Sequence, residues 1–174
     1  MTVRIALAQC APALGAVKRN VEMHRAWIAR AREAGAGLIV FPELSLTGYY
    51  LKDLAADVAC APDDPQLAPI AEASRDLDVC AGFVERSPDA KLRIAQGYWS
   101  KGRLVHVHRK VYLPTYGIFD DGRFFGPGER FDTFASGDRS TKPALMSMSR
   151  EASAIGASLG SSAAQATSAA RSLR

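Results

Sequence analysis

The chain has little cysteine, no long apolar run and, after Phe134, no aromatic residue at all. Each absence excludes something. Cys10, Cys60 and Cys80 are too few and too scattered for a disulfide framework or a spaced zinc site, and they read as reduced, buried thiols. No stretch approaches the length of a membrane span. The start MTVRIALAQC enters a strand-like pattern without a basic leader and cleavage site, so a cytoplasmic protein with no membrane partner is expected. The net charge of +4 is unevenly placed, since residues 135–174 carry five Lys or Arg against two acids. The remainder is nearly balanced and holds no basic cluster interleaved with aromatics, which argues against nucleic acid as a partner.

What is present is a body and a tail. At 174 residues, 48% hydrophobic and 23% charged, the chain can bury one sizeable core. All 14 aromatic residues lie at or before Phe134, whereas 20 of the 40 residues from Ala135 onward are Ala or Ser. Residues 1–134 therefore read as the N-terminal part of one folded domain. Residues 135–174 read as a tail, disordered or frame-shifted, because they offer too little large apolar surface to offset the entropy of ordering them.

Within the body, strand and helix signals alternate. Val3, Ile5 and Leu7 suggest a first strand. Val17, Val21, His24, Ile28 and Ala31 then mark one face of a helix that stops at Gly35-Ala36-Gly37. The run from Gly37 to Phe41 reads as a buried strand ending on Glu43. Asp64-Pro65 is a cap and first-turn pair for a second helix through Leu67, Ile70, Ala71, Ser74 and Leu77. A third strand at "DVCAGFVE" and a hairpin of Leu92–Trp99 with Leu104–Arg109 complete an α/β layer with a mixed sheet. Its near-continuous apolar strands require cover on the face opposite the helices.

Two stretches carry candidate chemistry. Glu43 lies at the carboxyl end of a strand, where α/β sheets bind ligands, and Thr47-Gly48 should fold Tyr49 back beside it. In "HVHRKVYLPTYGIFDDGRFFGPGE", His106, His108 and Lys110 project from one face of a strand. Lys110 could hold a positive charge where an oxyanion forms. The two histidines lack a third ligand at suitable spacing and read as packing or strand-surface residues.

"FPELSLTGY" and "HRKVYLPTYGIFDDGRFFGPGE" resemble the first two signature blocks of the nitrilase superfamily, the carbon–nitrogen hydrolases. "VRIALAQCAP" and "AREAGAGLIVFPE" are similar as well. Among its branches, "TGYYLKDL" and "LPTYGIFDDGRFF" look most like amidohydrolases close to the glutaminase domain of glutamine-dependent NAD synthetases. The likeness covers residues 1–134. It implies an α-β-β-α sandwich, here incomplete, and a Glu-Lys-Cys catalytic set. Glu43 would be the general base and Lys110 the oxyanion partner. Asp121 is the nearest match to a second acid that the family tends to supply as Glu, and Tyr49 and Tyr116 would bind substrate. No cofactor or metal is implied. The implied partner is a small-molecule amide, with a homo-oligomer for the intact form.

The chain departs from the pattern in two places. No cysteine follows Cys80, although the family's nucleophile lies on a strand after the "PGE" loop, and Ile94 stands where relatives tend to carry Asn. The expectation is hydrolysis of a non-peptide carbon–nitrogen bond, with release of ammonia, in the intact family member. This chain, lacking the thiol, is expected to be inactive. The competing readings are a non-catalytic, truncated partner-binding module and the glutaminase part of an NAD synthetase.

Overall fold

The computed structural model describes residues 3–116, 120–136 and 144–147. Five strands form one sheet in chain order: β1 (Ile5–Leu7), β2 (Leu38–Val40), β3 (Asp78–Arg86), β4 (Leu92–Ser100) and β5 (Arg103–Arg109). The first three are parallel, β4 is antiparallel to β3, and β5 is antiparallel to β4. Consequently β5 points the same way as β2. The residues that follow β2 and β5 emerge on one edge of the sheet, the edge where open α/β sheets bind ligands.

The crossovers follow from local sequence. β1 and β2 are joined by α1 (Val17–Glu33), which buries the expected face of Val17, Val21, His24, Ile28 and Ala31, with Asn20 added to it. Gly35 follows the helix at φ +71°, a conformation that glycine adopts without a Cβ penalty. Between β2 and β3 lie α2 (Ala55–Val58) and α3 (Ala68–Ala73). The Asp64 carboxylate accepts the Gln66 N–H at 2.9 Å and opens a 3-10 turn at Pro65–Leu67 that leads into α3. The helix stops at Ala73, short of the Leu77 that the spacing suggested. The Ser74 hydroxyl donates back to the Ala71 carbonyl at 2.7 Å, and the chain turns into β3.

Alternation along the strands divides the core. Ile39, Val79, Ala81 and Phe83 pack with Ile28, Ala31, Ile70 and Leu77 on the helix side. On the other face Leu38, Val40, Cys80 and Tyr98 form a second cluster. The short α4 (Asp121–Phe124) follows β5, and β6 (Thr133–Ser136) then pairs antiparallel with β7 (Ala144–Ser147). Phe134 of β6 covers the second face, its ring 4.9 Å from that of Tyr98 and 4.6 Å from that of His106. The cover that apolar strands require is thus supplied in part by Phe134. Apart from β6 and β7, the Ala/Ser-rich stretch 135–174 lies outside the described residues. Among the described residues, no helix is long and apolar enough to cross a membrane.

Candidate active site

Glu43 is not on a strand. β2 ends at Val40, and Glu43 sits in the turn that follows, which β3 holds from below. The Phe41 N–H donates to the Cys80 carbonyl at 2.8 Å and the Leu46 N–H to the Gly82 carbonyl at 2.9 Å. Gly82 allows this close approach: a Cβ there would lie 2.4 Å from the Leu44 nitrogen and 3.1 Å from the Glu43 carbonyl carbon. Leu44 adopts φ +52°, a conformation uncommon for a residue with a side chain. Gly48, at φ +88°, closes the turn with its N–H on the Leu44 carbonyl at 2.7 Å.

Lys110 is the first residue past β5. Its N–H donates to the Ile94 carbonyl at 2.9 Å, and its carbonyl accepts the Gly128 N–H at 2.8 Å. The glycine-rich loop lies so close that a Cβ on Gly128 would be 2.3 Å from the Arg109 carbonyl oxygen. Arg109, projecting to the opposite face, makes two 2.6 Å contacts with the fully buried Glu85, and these hold its guanidinium above the usual range. The end of β5 is therefore clamped on both faces. Asp121 opens α4, with its N–H on the Pro114 carbonyl at 3.1 Å.

These elements converge. The Lys110 Nζ lies 3.0 Å from Glu43 Oε1 and 3.0 Å from Asp121 Oδ2, and the Tyr49 hydroxyl donates to Asp121 Oδ1 at 3.3 Å. All three ionic side chains are mostly sequestered, Lys110 at 18%, Glu43 at 21% and Asp121 at 8% exposure. Burial works against the Lys110 charge, but Glu43 and then Asp121 outweigh it and keep the ammonium above the usual lysine range. Burial, with the charges of Asp121 and Glu43, pushes the Tyr49 hydroxyl far above the range of a free phenol. Leu44, Leu51, Val84 and Ile94 pack as an apolar cluster beside the turn, which explains how an isoleucine is accommodated at position 94. A carboxylate and a cation held in a partly dry site can exchange a proton with, and stabilise negative charge on, a bound group.

Tyr116 is 73% exposed. His106 and His108 pack against Phe134 and Phe131, burial lowers both imidazoles, and no group of His, Cys, Asp and Glu among the described residues could hold a metal ion. Burial pushes the Cys80 thiol up to about 11 against the hydrogen bond from Gln96. Burial, then Asp64, raises Cys60 to about 11, and burial also raises Cys10. Thiols so shifted are poor nucleophiles near neutral pH. Sequence reasoning missed Gly82, Glu85 and Asn20. Only the Gly in an otherwise apolar strand was a legible signal, since it marks a close backbone approach.

The carbon-nitrogen hydrolase family profile matches residues 4–158, and the chain belongs to that family. The curated glutamine-dependent NAD(+) synthetase of Thermotoga maritima is 35% identical over 130 residues, which are 73% of this chain and 22% of that protein. The solved structure of glutamine-dependent NAD+ synthetase from Acinetobacter baumannii gives a TM-score of 0.68 at 30% identity, covering 76% of this chain and 25% of that one. An amidase from Nesterenkonia sp. gives 0.69 at 25% identity, covering 83% and 54%. The mixed sheet with its helix layer is the nitrilase-superfamily fold. The chain spans about a quarter of the length of the curated relatives it matches.

Proposed function

We propose that this chain carries the base and the oxyanion-stabilising cation of an ammonia-releasing amidohydrolase, and that it does not turn over substrate by itself. The observation that carries the reading is the Lys110 ammonium held between Glu43 and Asp121. In this chemistry a thiol attacks the amide carbon, Glu43 takes the thiol proton and delivers it to the leaving nitrogen, and ammonia departs. Water then gives a proton to Glu43 as it attacks the thioester, releasing the acid and restoring the thiol. In this reading Lys110 supplies the cation that the tetrahedral oxyanion needs. Tyr49 and Tyr116 are the substrate-contacting aromatics of this reading. None of Cys10, Cys60 and Cys80 suits the nucleophile's part, since burial raises all three thiols.

Ammonia release from glutamine and small primary amides tests both halves. No turnover is expected from the 174-residue chain, while a small amide should shift the NMR signals of Tyr49 and Lys110 in the parent but not bind Lys110→Met. Turnover abolished by Glu43→Gln and by thiol alkylation would reveal a resident nucleophile and overturn the second half. Turnover indifferent to Glu43→Gln would overturn the first.

The likeness to two glutamine-dependent NAD synthetases favours the side-chain amide of glutamine over other amides. Competition between glutamine and acetamide for the same shifts would decide between them, and equal affinity would remove the preference.

A further inference from the structure

Beneath the Glu43 turn lies a chain of polar groups with one possible direction. Asn20 and His24, one helical turn apart on the buried face of α1, are 1% and 0% exposed. The His24 Nδ1 is 2.7 Å from the Asn20 carbonyl oxygen, which can only accept, so Nδ1 carries the proton. The His24 Nε2 is then an acceptor, and the Ser45 hydroxyl donates to it at 2.9 Å. The Ser45 oxygen accepts in turn from the Gly82 N–H at 3.3 Å. Asn20 adds a parallel brace, its Nδ2 donating to the Leu46 carbonyl at 3.1 Å and to the Ala13 carbonyl at 2.8 Å, while its Oδ1 accepts the Ala13 N–H at 2.8 Å. The ring of His24 lies 4.0 Å from that of Phe41. Residues on both sides of Glu43 are thus tied to α1 and to β3, although Glu43 itself contacts neither through these groups.

We infer that His24, acting through Ser45, is a positioning residue that sets the Glu43 turn against Gly82 and so aims the carboxylate at Lys110. The inference rests on Glu43 being the acid of the site proposed above. The physical argument is one of alternatives. A buried hydroxyl and imidazole contribute little net stability over an apolar pair of the same shape, because each loses its hydration on folding. A hydrogen-bonded pair, however, fixes one distance and one direction, which apolar packing does not. In this core, polar groups occupy the place under the turn that presents the Glu43 carboxylate to Lys110.

The test reads the site without turnover, so it stands whether or not the chain hydrolyses amides. Trace acetic anhydride labels lysines in proportion to their free amine, and mass spectrometry gives Lys110 labelling relative to Lys91, whose side chain is 66% exposed. The double variant His24→Leu/Ser45→Ala is expected to keep the parent melting temperature within a few degrees. Its Lys110 labelling should rise by about tenfold, the effect of a one-unit fall in the ammonium's pKa as Glu43 turns away. His24→Gln supplies a donor and an acceptor at similar reach and should restore labelling to within about twofold of the parent. A folded double variant with unchanged labelling overturns the inference, as does labelling that His24→Gln fails to restore. If the double variant does not fold, Ser45→Ala, which removes one oxygen, carries the same expectation and the same refutation.

Discussion

Lys110 and Glu43 are 67 residues apart in the chain and 3.0 Å apart in space. The topology makes this contact possible: β2 and β5 point the same way, so the residue just past β5 and the turn just past β2 meet on one edge of the sheet. Local glycines make it accurate, with Gly82 beneath the turn and Gly128 against the end of β5.

Removing the cation should expose what it neutralises. Lys110→Met leaves Glu43 and Asp121 facing each other, mostly sequestered, and is expected to lower stability at pH 7 by about 3 kcal/mol, the low end for breaking a buried ion pair. In alkali the deficit should narrow, because the folded state holds the Lys110 proton more tightly than the unfolded chain does. That contribution is whole below the ordinary lysine range and is lost as pH rises through the folded value. Urea midpoints of parent and variant from pH 7 to 11 would show a difference that shrinks in alkali, and a flat difference would refute the pairing.

His24 should make folding acid-sensitive. Burial pushes its imidazole down to about 4, against the favourable Asn20 carbonyl, whereas the unfolded imidazole titrates near 6.5. As pH falls from 6.5 to 4 the unfolded chain takes up a proton that the folded chain refuses. Stability should drop by up to ~1.4 kcal/mol per unit, about 3 kcal/mol in all. His24→Gln should lack this slope, and a ring-proton titration near 6.5 in the parent would contradict the burial.

The glycines should differ sharply in tolerance. Gly82→Ala and Gly128→Ala each drive a Cβ to within 2.5 Å of backbone atoms, and each should cost about 3 kcal/mol or more. Gly126→Ala meets the flexible Lys91 side chain at 3.4 Å and the Leu92 carbonyl oxygen at 3.8 Å, both ordinary contacts, and should change stability by less than about 1 kcal/mol. Thermal melts of the three variants would rank them, and equal melts would remove the argument from close approach.

Thiol reactivity should follow burial. Cys60 and Cys80 are buried and Cys10 is partly exposed. At pH 7.5 a disulfide reagent should modify Cys10 first and reach the other two only in denaturant. Rapid labelling of Cys80 in the folded chain would point to a reactive thiol and reopen its candidacy as nucleophile.

Several features were legible because they are local. The face of α1 shows in the recurrence of Val17, Val21, His24, Ile28 and Ala31, the Asp64-Pro65 start is a matter of adjacent residues, and the β4–β5 hairpin follows from a short turn between two apolar runs. Glu43 and Lys110 could be singled out as a carboxylate and an ammonium stranded at strand ends. Their partnership, the inclusion of Asp121 and the brace formed by Asn20, His24 and Ser45 could not be derived from spacing. Each joins groups from different elements, at distances set by sheet order and by how closely Gly82 and Gly128 let backbones approach. Sequence by itself determined which elements form, because periodicity and caps act within a few residues. Only the tertiary structure decided which charges meet, because hydrogen bonds and ion pairs depend on ångström distances that side-chain order along the chain does not encode.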